Sequence, residues 1–181
     1  MPLNKSSSFN EELRRFHADL GISDDFLEQC SLPLCQEPDA LVETEADFYG
    51  RPQRLIAPAQ QAWQEMKQSA AERGVVIHLI SAFRGYEYQY QLIKRKLAAG
   101  QDLAQILSIN AAPGYSEHHS GRAIDVGTVN CPALEEEFEH TPAFAWLAEN
   151  AVTFGFSMTY PRGNPFGISY EPWHWCFSEN K

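Results

Sequence analysis

The sequence predicts an α+β domain in which a small, mostly antiparallel sheet is flanked by helices. Two observations predict it. Amphipathic helical periods come first, and the later strand-like runs are joined by loops rather than by crossover helices. A third observation removes the alternatives: there is no Gly-rich phosphate loop, no GxSxG elbow and no HExxH helix.

The elements follow in order. Helical pieces are expected near 9–20 and 23–30, the second started by Ser23 with Asp24 and Asp25 in its first turn. Pro33 and Pro38 break any longer helix, so residues 1–50 read as an N-terminal helical elaboration packed on a main domain over 51–181. Ala59, Ala62, Trp63, Met66 and Ala70 keep the 3.6-residue period, with Pro58 at the start and Gly74 after the end. Val75 to Ile80 is a β-branched run that fits a buried strand. Tyr86, Tyr90, Ile93 and Leu97 mark a helix stopped by Gly100, and a shorter helix covers 102–109. A turn-rich segment leads to a strand over 122–128. Thr141 and Pro142 start a helix closed by Gly155, and strands over 156–160 and 168–177 finish the chain.

Composition narrows the partners. The 181 residues carry 14 Lys and Arg against 24 Asp and Glu, a formal charge of −10. That balance argues against binding phosphate backbones, so no nucleic acid partner is expected. The local run Lys94-Arg95-Lys96 reads as the solvated side of one helix. No apolar run of secretory type follows Lys5, and none is long enough to span a bilayer, which predicts a cytoplasmic protein with no membrane partner. Cys30, Cys35, Cys131 and Cys176 form no CxxC pair and are expected to stay reduced.

The densest cluster of chemically able residues is SEHHSGRAID, Ser116 to Asp125, followed 46 residues later by EPWHW, Glu171 to Trp175. Imidazole and carboxylate suit zinc, and a catalytic zinc takes three protein ligands and leaves one position open. Alternation along the strand separates Ala123 and Asp125 from Arg122, Ile124 and Val126, so Asp125 can face a cleft. His118 must reach it from the preceding loop, with His174 as third ligand. His119 and Cys176 stay open as alternatives, whereas His17, His78 and His140 read as ordinary surface or hydrogen-bonded histidines. In a straight strand Glu171 and His174 would lie on opposite faces; Pro172 predicts a bend that turns both to one site. Trp173 and Trp175 also fit a core.

The pattern Ser-x-His-x-x-Gly-x-Ala-x-Asp followed by Glu-x-x-His-Trp resembles the two signatures of the VanY-type zinc carboxypeptidases, which trim D-alanine from peptidoglycan peptides. The segment SAFRGYEYQ (81–89) is similar to that family's Ser-x-Tyr-Arg-Ser-Tyr-x-x-Gln stretch, with Phe83 for the usual Tyr and Gly85 for the usual Ser. The likeness spans about residues 55–177. It implies the fold shared with D-Ala-D-Ala dipeptidases and the hedgehog signalling domain, and one catalytic Zn2+ held by His118, Asp125 and His174. It further implies Glu171 as general base and acid, Arg84 on the substrate carbonyl or carboxylate, and Gln89, Ser116, Tyr170 and Trp173 as substrate contacts. The expected substrate is a muropeptide. In the cytosol that favours an L,D-carboxypeptidase shortening recycled tetrapeptides to tripeptides. The alternatives are a D,D-carboxypeptidase or dipeptidase, a stem-peptide endopeptidase and a zinc-containing binding module.

Overall fold

The computed structural model describes residues 5–179. In chain order these form helices α1 (Lys5–Leu20) and α2 (Asp24–Gln29), short strands β1 (Val42–Glu43) and β2 (Arg54–Leu55), and helix α3 (Ala57–Glu72). Strand β3 (His78–Ser81), helices α4 (Tyr86–Ala98) and α5 (Leu103–Leu107) and strand β4 (Ala123–Gly127) follow, then helix α6 (Pro142–Asn150) and strands β5 (Phe156–Met158) and β6 (His174–Phe177). Single 3-10 turns cover Glu117–Ser120, Glu136–His140 and Ala151–Phe154.

Local chemistry starts the helices where the sequence says it should. Ser23 accepts from the Phe26 amide at 3.2 Å and Thr141 from the Phe144 amide at 3.2 Å, each satisfying an amide that the helix leaves without a partner. Asp102 does the same for Gln105 at 3.1 Å.

The main sheet has the order β3-β4-β6-β5, with every pair antiparallel. Strand β4 lies inside it and is buried along its whole length. Its Ile124 and Val126 pack with Leu79, Trp63, Met66, Leu147 and Phe156, so α3 and α6 cover one face of the sheet. Burying each such side chain contributes about 1.5–3 kcal/mol. The alternate residue, Asp125, points the other way and stands opposite His174 on β6.

Several boundaries differ from expectation. The strand read over 75–80 begins at His78, and the one over 156–160 ends at Met158. The strand expected over 168–177 exists only from His174, because Pro172 has no amide to donate and the chain turns there: the His174 amide donates to Glu171 O at 3.1 Å. Helix α5 stops at Leu107, and the helix expected to run up to Gly155 tightens into a 3-10 turn after Asn150. The β1–β2 pair has no alternating apolar signal, being exposed except at Leu55.

The N-terminal segment lies against α4 and the loop that precedes β4. Leu13 and Phe16 pack with Tyr86, and the Phe16 ring stacks on Tyr90 with centroids 4.5 Å apart. His17 Nε2 donates to Pro113 O at 2.7 Å, and the Cys35 amide donates to Gly114 O at 2.7 Å. Glu37 accepts from the Tyr86 amide at 2.6 Å, while the Tyr86 hydroxyl donates to Cys35 O at 2.7 Å.

Gly121 joins the 3-10 turn to β4 at φ +66°, where a Cβ would lie 2.8 Å from Leu41 Cδ2 and 3.3 Å from the Ile56 amide nitrogen. Its carbonyl accepts from that same amide at 3.0 Å, so the backbone has no freedom to withdraw. Gly121→Ala is therefore expected to destabilise the fold by about 1–3 kcal/mol, read as a lower urea midpoint with an unchanged slope.

Candidate metal and catalytic site

Three elements deliver three candidate ligands. The 3-10 turn presents His118, β4 presents Asp125 and β6 presents His174, all at most 3% exposed. Their candidate ligand atoms lie within 4.8 Å of one another, and among the described residues this is the one His, Cys, Asp and Glu group that could hold an ion. His118 Nε2 is 3.3 Å from Asp125 Oδ2, and His174 Nδ1 is 3.1 Å from Asp125 Oδ1. Atoms each 2.0–2.1 Å from a tetrahedral zinc stand about 3.3 Å apart. The spacing fits.

The protonation pattern fits too. His118 Nδ1–H donates to Ala82 O at 2.6 Å, which leaves Nε2 as a bare lone pair, buried and without a hydrogen bond, facing a carboxylate oxygen. Burial and the neighbouring Arg84 push His118 down to about 4, so no proton bridges that gap at neutral pH. Two lone-pair atoms held face to face in a buried site make a seat for a cation. Burial alone would raise the Asp125 carboxyl, but His118, His174 and Arg84 hold it well below the usual carboxylate range. Burial would likewise lower His174, yet its bonds to Asp125 and Glu117 push it up to about 10. A divalent ion at Nδ1 would replace the proton there and leave the bond to Glu117 intact.

Glu117 is the residue that sequence reasoning missed. Its Oε2 accepts from His174 Nε2 at 2.9 Å, fixing the ring so that Nδ1 faces the ligand cluster. This is the carboxylate–imidazole arrangement that orients metal ligands. Burial would raise its carboxyl; the hydrogen bond and charge of His174, with a further bond from Thr159, bring it down instead. The same carboxylate sits beside Cys176, whose thiol burial and Glu117 push far above its ordinary range, and Cys176 is not part of the converging group of candidate ligands.

The bend at Pro172 brings Glu171 Oε2 within 3.9 Å of His174 Nδ1. Burial raises the Glu171 carboxyl to about 7. Arg84 Nη1 stands 3.7 Å from Asp125 Oδ2, and its backbone is held by both histidines of the 3-10 turn: its amide donates to His118 O at 3.3 Å and its carbonyl accepts from His119 Nδ1 at 2.6 Å. His119 thus faces away from the ligand cluster, edge-on to Tyr86. His17, His78 and His140 are elsewhere, on Pro113, Phe48 and Glu139 respectively.

Two cavities meet at Arg84 and Glu171. One, of about 30 Å³, is bounded by Ser116, His118, Tyr160, Ile168 and His174. The other, of about 260 Å³, is bounded by Lys96, Leu134, Tyr170 and Trp173. Asn110 borders both. Tyr160, whose ring lies 4.8 Å from that of His174, is a further wall residue the sequence did not mark. Tyr170 turns its hydroxyl to Glu139 at 2.9 Å, leaving its ring for the cavity wall. Trp173 packs partly on the core and partly lines the larger cavity. Gln89 borders neither cavity; it is buried and donates to Ala111 O at 2.8 Å, so it supports the wall from behind. Lys96 also departs from expectation. Of the run 94–96, Lys94 pairs with Asp19 at 2.8 Å on the solvated side, whereas Lys96 faces the cleft.

The family model described as VanY, D-alanyl-D-alanine carboxypeptidase, matches residues 52–180. The chain belongs to the VanY family. It is 34% identical over 117 residues to a D-alanyl-D-alanine carboxypeptidase of Enterococcus faecium, covering 63% of this chain and 34% of that protein. Among solved structures it resembles the LdcB LD-carboxypeptidase at a TM-score of 0.70 and 27% identity, covering 78% of this chain and 69% of that one. It also resembles a mutant of the VanB-type D,D-pentapeptidase VanY in complex with Zn(II), at a TM-score of 0.57 and 27% identity over 83% of this chain and 80% of that one. The VanY-family chain spans between 34% and 56% of the length of curated relatives it matches.

Glu117→Gln keeps a hydrogen-bonding side chain but loses the charge behind His174. It is expected to weaken divalent-metal affinity by about 10–100-fold with an unchanged circular dichroism spectrum, measured by competition against a chromophoric chelator.

Proposed function

We propose that this VanY-family chain is a zinc carboxypeptidase that removes the terminal D-amino acid from peptidoglycan stem peptides, and that its preferred bond is the L,D bond of the tetrapeptide. One observation carries the reading: a buried carboxyl, Glu171, raised to about 7, shares the small cavity with His118 and His174 and the adjoining larger one with Asp125, so it borders all three candidate ligands. A zinc-binding module would need no such base, whereas a peptidase needs one poised near the working pH.

The smaller cavity, bounded by Tyr160 and Ile168, holds only about 30 Å³. So little space beside the candidate ligands suits a short terminal side chain, which supports an exopeptidase over an endopeptidase. In this reading Ser116 holds the terminal carboxylate there, and Arg84, at the junction of the cavities, donates to the carbonyl oxygen as negative charge develops on it. Loss of one such donor in other hydrolases lowers the rate by roughly 10²–10³. Zinc on His118, Asp125 and His174 supplies the Lewis acidity that acidifies water and polarises a carbonyl. Glu171 takes a proton from the attacking water and delivers it to the leaving amine.

The L,D preference is supported by the larger cavity, which suits a long, polar side chain on the residue just before the scissile bond better than it suits the methyl of D-alanine. The solved relatives include a protein of each specificity, so the family likeness favours neither. The substrate would be a soluble, recycled muropeptide in the cytosol, and the four free cysteines suit a reducing compartment.

Zinc-loaded protein incubated with tetrapeptide and pentapeptide muropeptides is expected to release D-alanine from the tetrapeptide; release from the pentapeptide alone would overturn the L,D assignment. Glu171→Gln should keep stoichiometric zinc while turnover falls by about 10²–10⁴, and His118→Ala should lose both. Metal content by elemental mass spectrometry beside the peptide assay checks the pair.

A further inference from the structure

We infer that Lys96 is a specificity residue that binds a carboxylate on the retained part of the substrate peptide. The inference rests on the peptidase reading above and names what its larger cavity recognises.

Lys96 lies in the last turn of α4, seven residues after Gln89, and two helical turns place the two on one face. Gln89 donates to Ala111 O, and Lys96 lines the larger cavity with Ile109 and Asn110, so this face of the helix runs along the cleft. The neighbouring cations do not share that direction: Lys94 pairs with Asp19 and Arg95 is exposed. Lys96 is half-buried, shares its cavity with Arg84, and makes no ion pair among the described residues.

Two carboxylates border the same cavity, but both are engaged. Asp125 is shared between His118, His174 and Arg84, and Glu171 is the buried carboxyl beside His174. In a chain of net charge −10, with acidic side chains abundant, an ammonium drawn partly out of water beside a guanidinium and left without a counterion is expensive unless a ligand supplies the anion. Burial and the Arg84 charge both push the Lys96 ammonium down, the direction expected of a cation awaiting a partner.

The peptidase reading narrows which anion. It assigns the terminal carboxylate to the smaller cavity, which Lys96 does not line, so the anion at Lys96 comes from the acyl side of the scissile bond. A stem peptide offers two there: a side-chain carboxylate on the residue preceding the terminal D-alanine, when that residue is a diamino dicarboxylic acid, and the free carboxylate of the acidic residue one place earlier.

The test compares three tetrapeptides, one with both carboxylates free and two with either one amidated, on the parent enzyme, Lys96→Met and Lys96→Arg. For the free peptide, Lys96→Met is expected to raise KM roughly ten-fold, the effect of losing one charged hydrogen bond, with kcat within about two-fold. The peptide amidated at the recognised carboxylate should show that higher KM already on the parent enzyme and no further rise with Lys96→Met. Lys96→Arg should restore most of the affinity. The amide that abolishes the effect identifies the source. Equal KM changes for all three peptides, or none, would overturn the assignment of Lys96 while leaving the peptidase reading standing. Failure of the parent enzyme to cleave any of them would sink the L,D reading together with this assignment.

Discussion

A carboxylate placed on an inner strand of a sheet has to be compensated, and Asp125 imposes that condition on everything around it. It is 2% exposed, and its charge is met by the His174 imidazole and the Arg84 guanidinium, while the bare nitrogen of His118 faces its other oxygen. Each of those partners is fixed in turn from behind. His118 is tied to Ala82 O at the end of β3, His174 to Glu117, and Arg84 to the backbone of the 3-10 turn. The antiparallel register that puts Asp125 opposite His174 is therefore also the register that assembles the ligand cluster. A slip of one residue would turn Asp125 into the packed face occupied by Ile124 and Val126.

The charge pattern separates duties among chemically similar groups. Asp125, Glu117 and Glu171 are all buried carboxyls within one small region, yet the first two are held ionised and the third is lifted toward neutrality. The difference is in the partners. Asp125 and Glu117 each accept a bond from His174, whereas Glu171 meets the same ring only at 3.9 Å. Environments that push neighbouring carboxyls apart in this way set different charge states without any change in residue type.

Much of this was legible in the chain itself because the relevant signals are local. The 3.6-residue periods of α3 and α4, the Ser23 and Thr141 caps, and the alternation in β4 that aims Asp125 at a cleft all depend on near neighbours. So does the bend at Pro172. What stayed hidden depends on distant segments meeting. Nothing near Glu117 in the sequence says that residue 174 will arrive beside it, and the Lys94-Arg95-Lys96 run carries no mark of which cation faces the 109–111 loop. Strand length failed for a related reason: residues 168–172 precede the sheet, and the amides of Ser169 and Glu171 donate to Ser108 O and Tyr160 O instead of to a neighbouring strand.

Glu37 and Cys35 lie outside the span that defines the family, yet they clasp Tyr86 in the first turn of α4, only two residues beyond Arg84. Tyr86 also meets His119 edge-on, so the same contact reaches the turn carrying His118. A border drawn by kinship and a border drawn by mechanical support consequently do not coincide. Shortening this polypeptide to its recognisable part would leave the guanidinium and the first imidazole braced from one side only, and the damage would surface as lost positional accuracy in the cleft before it surfaced as unfolding.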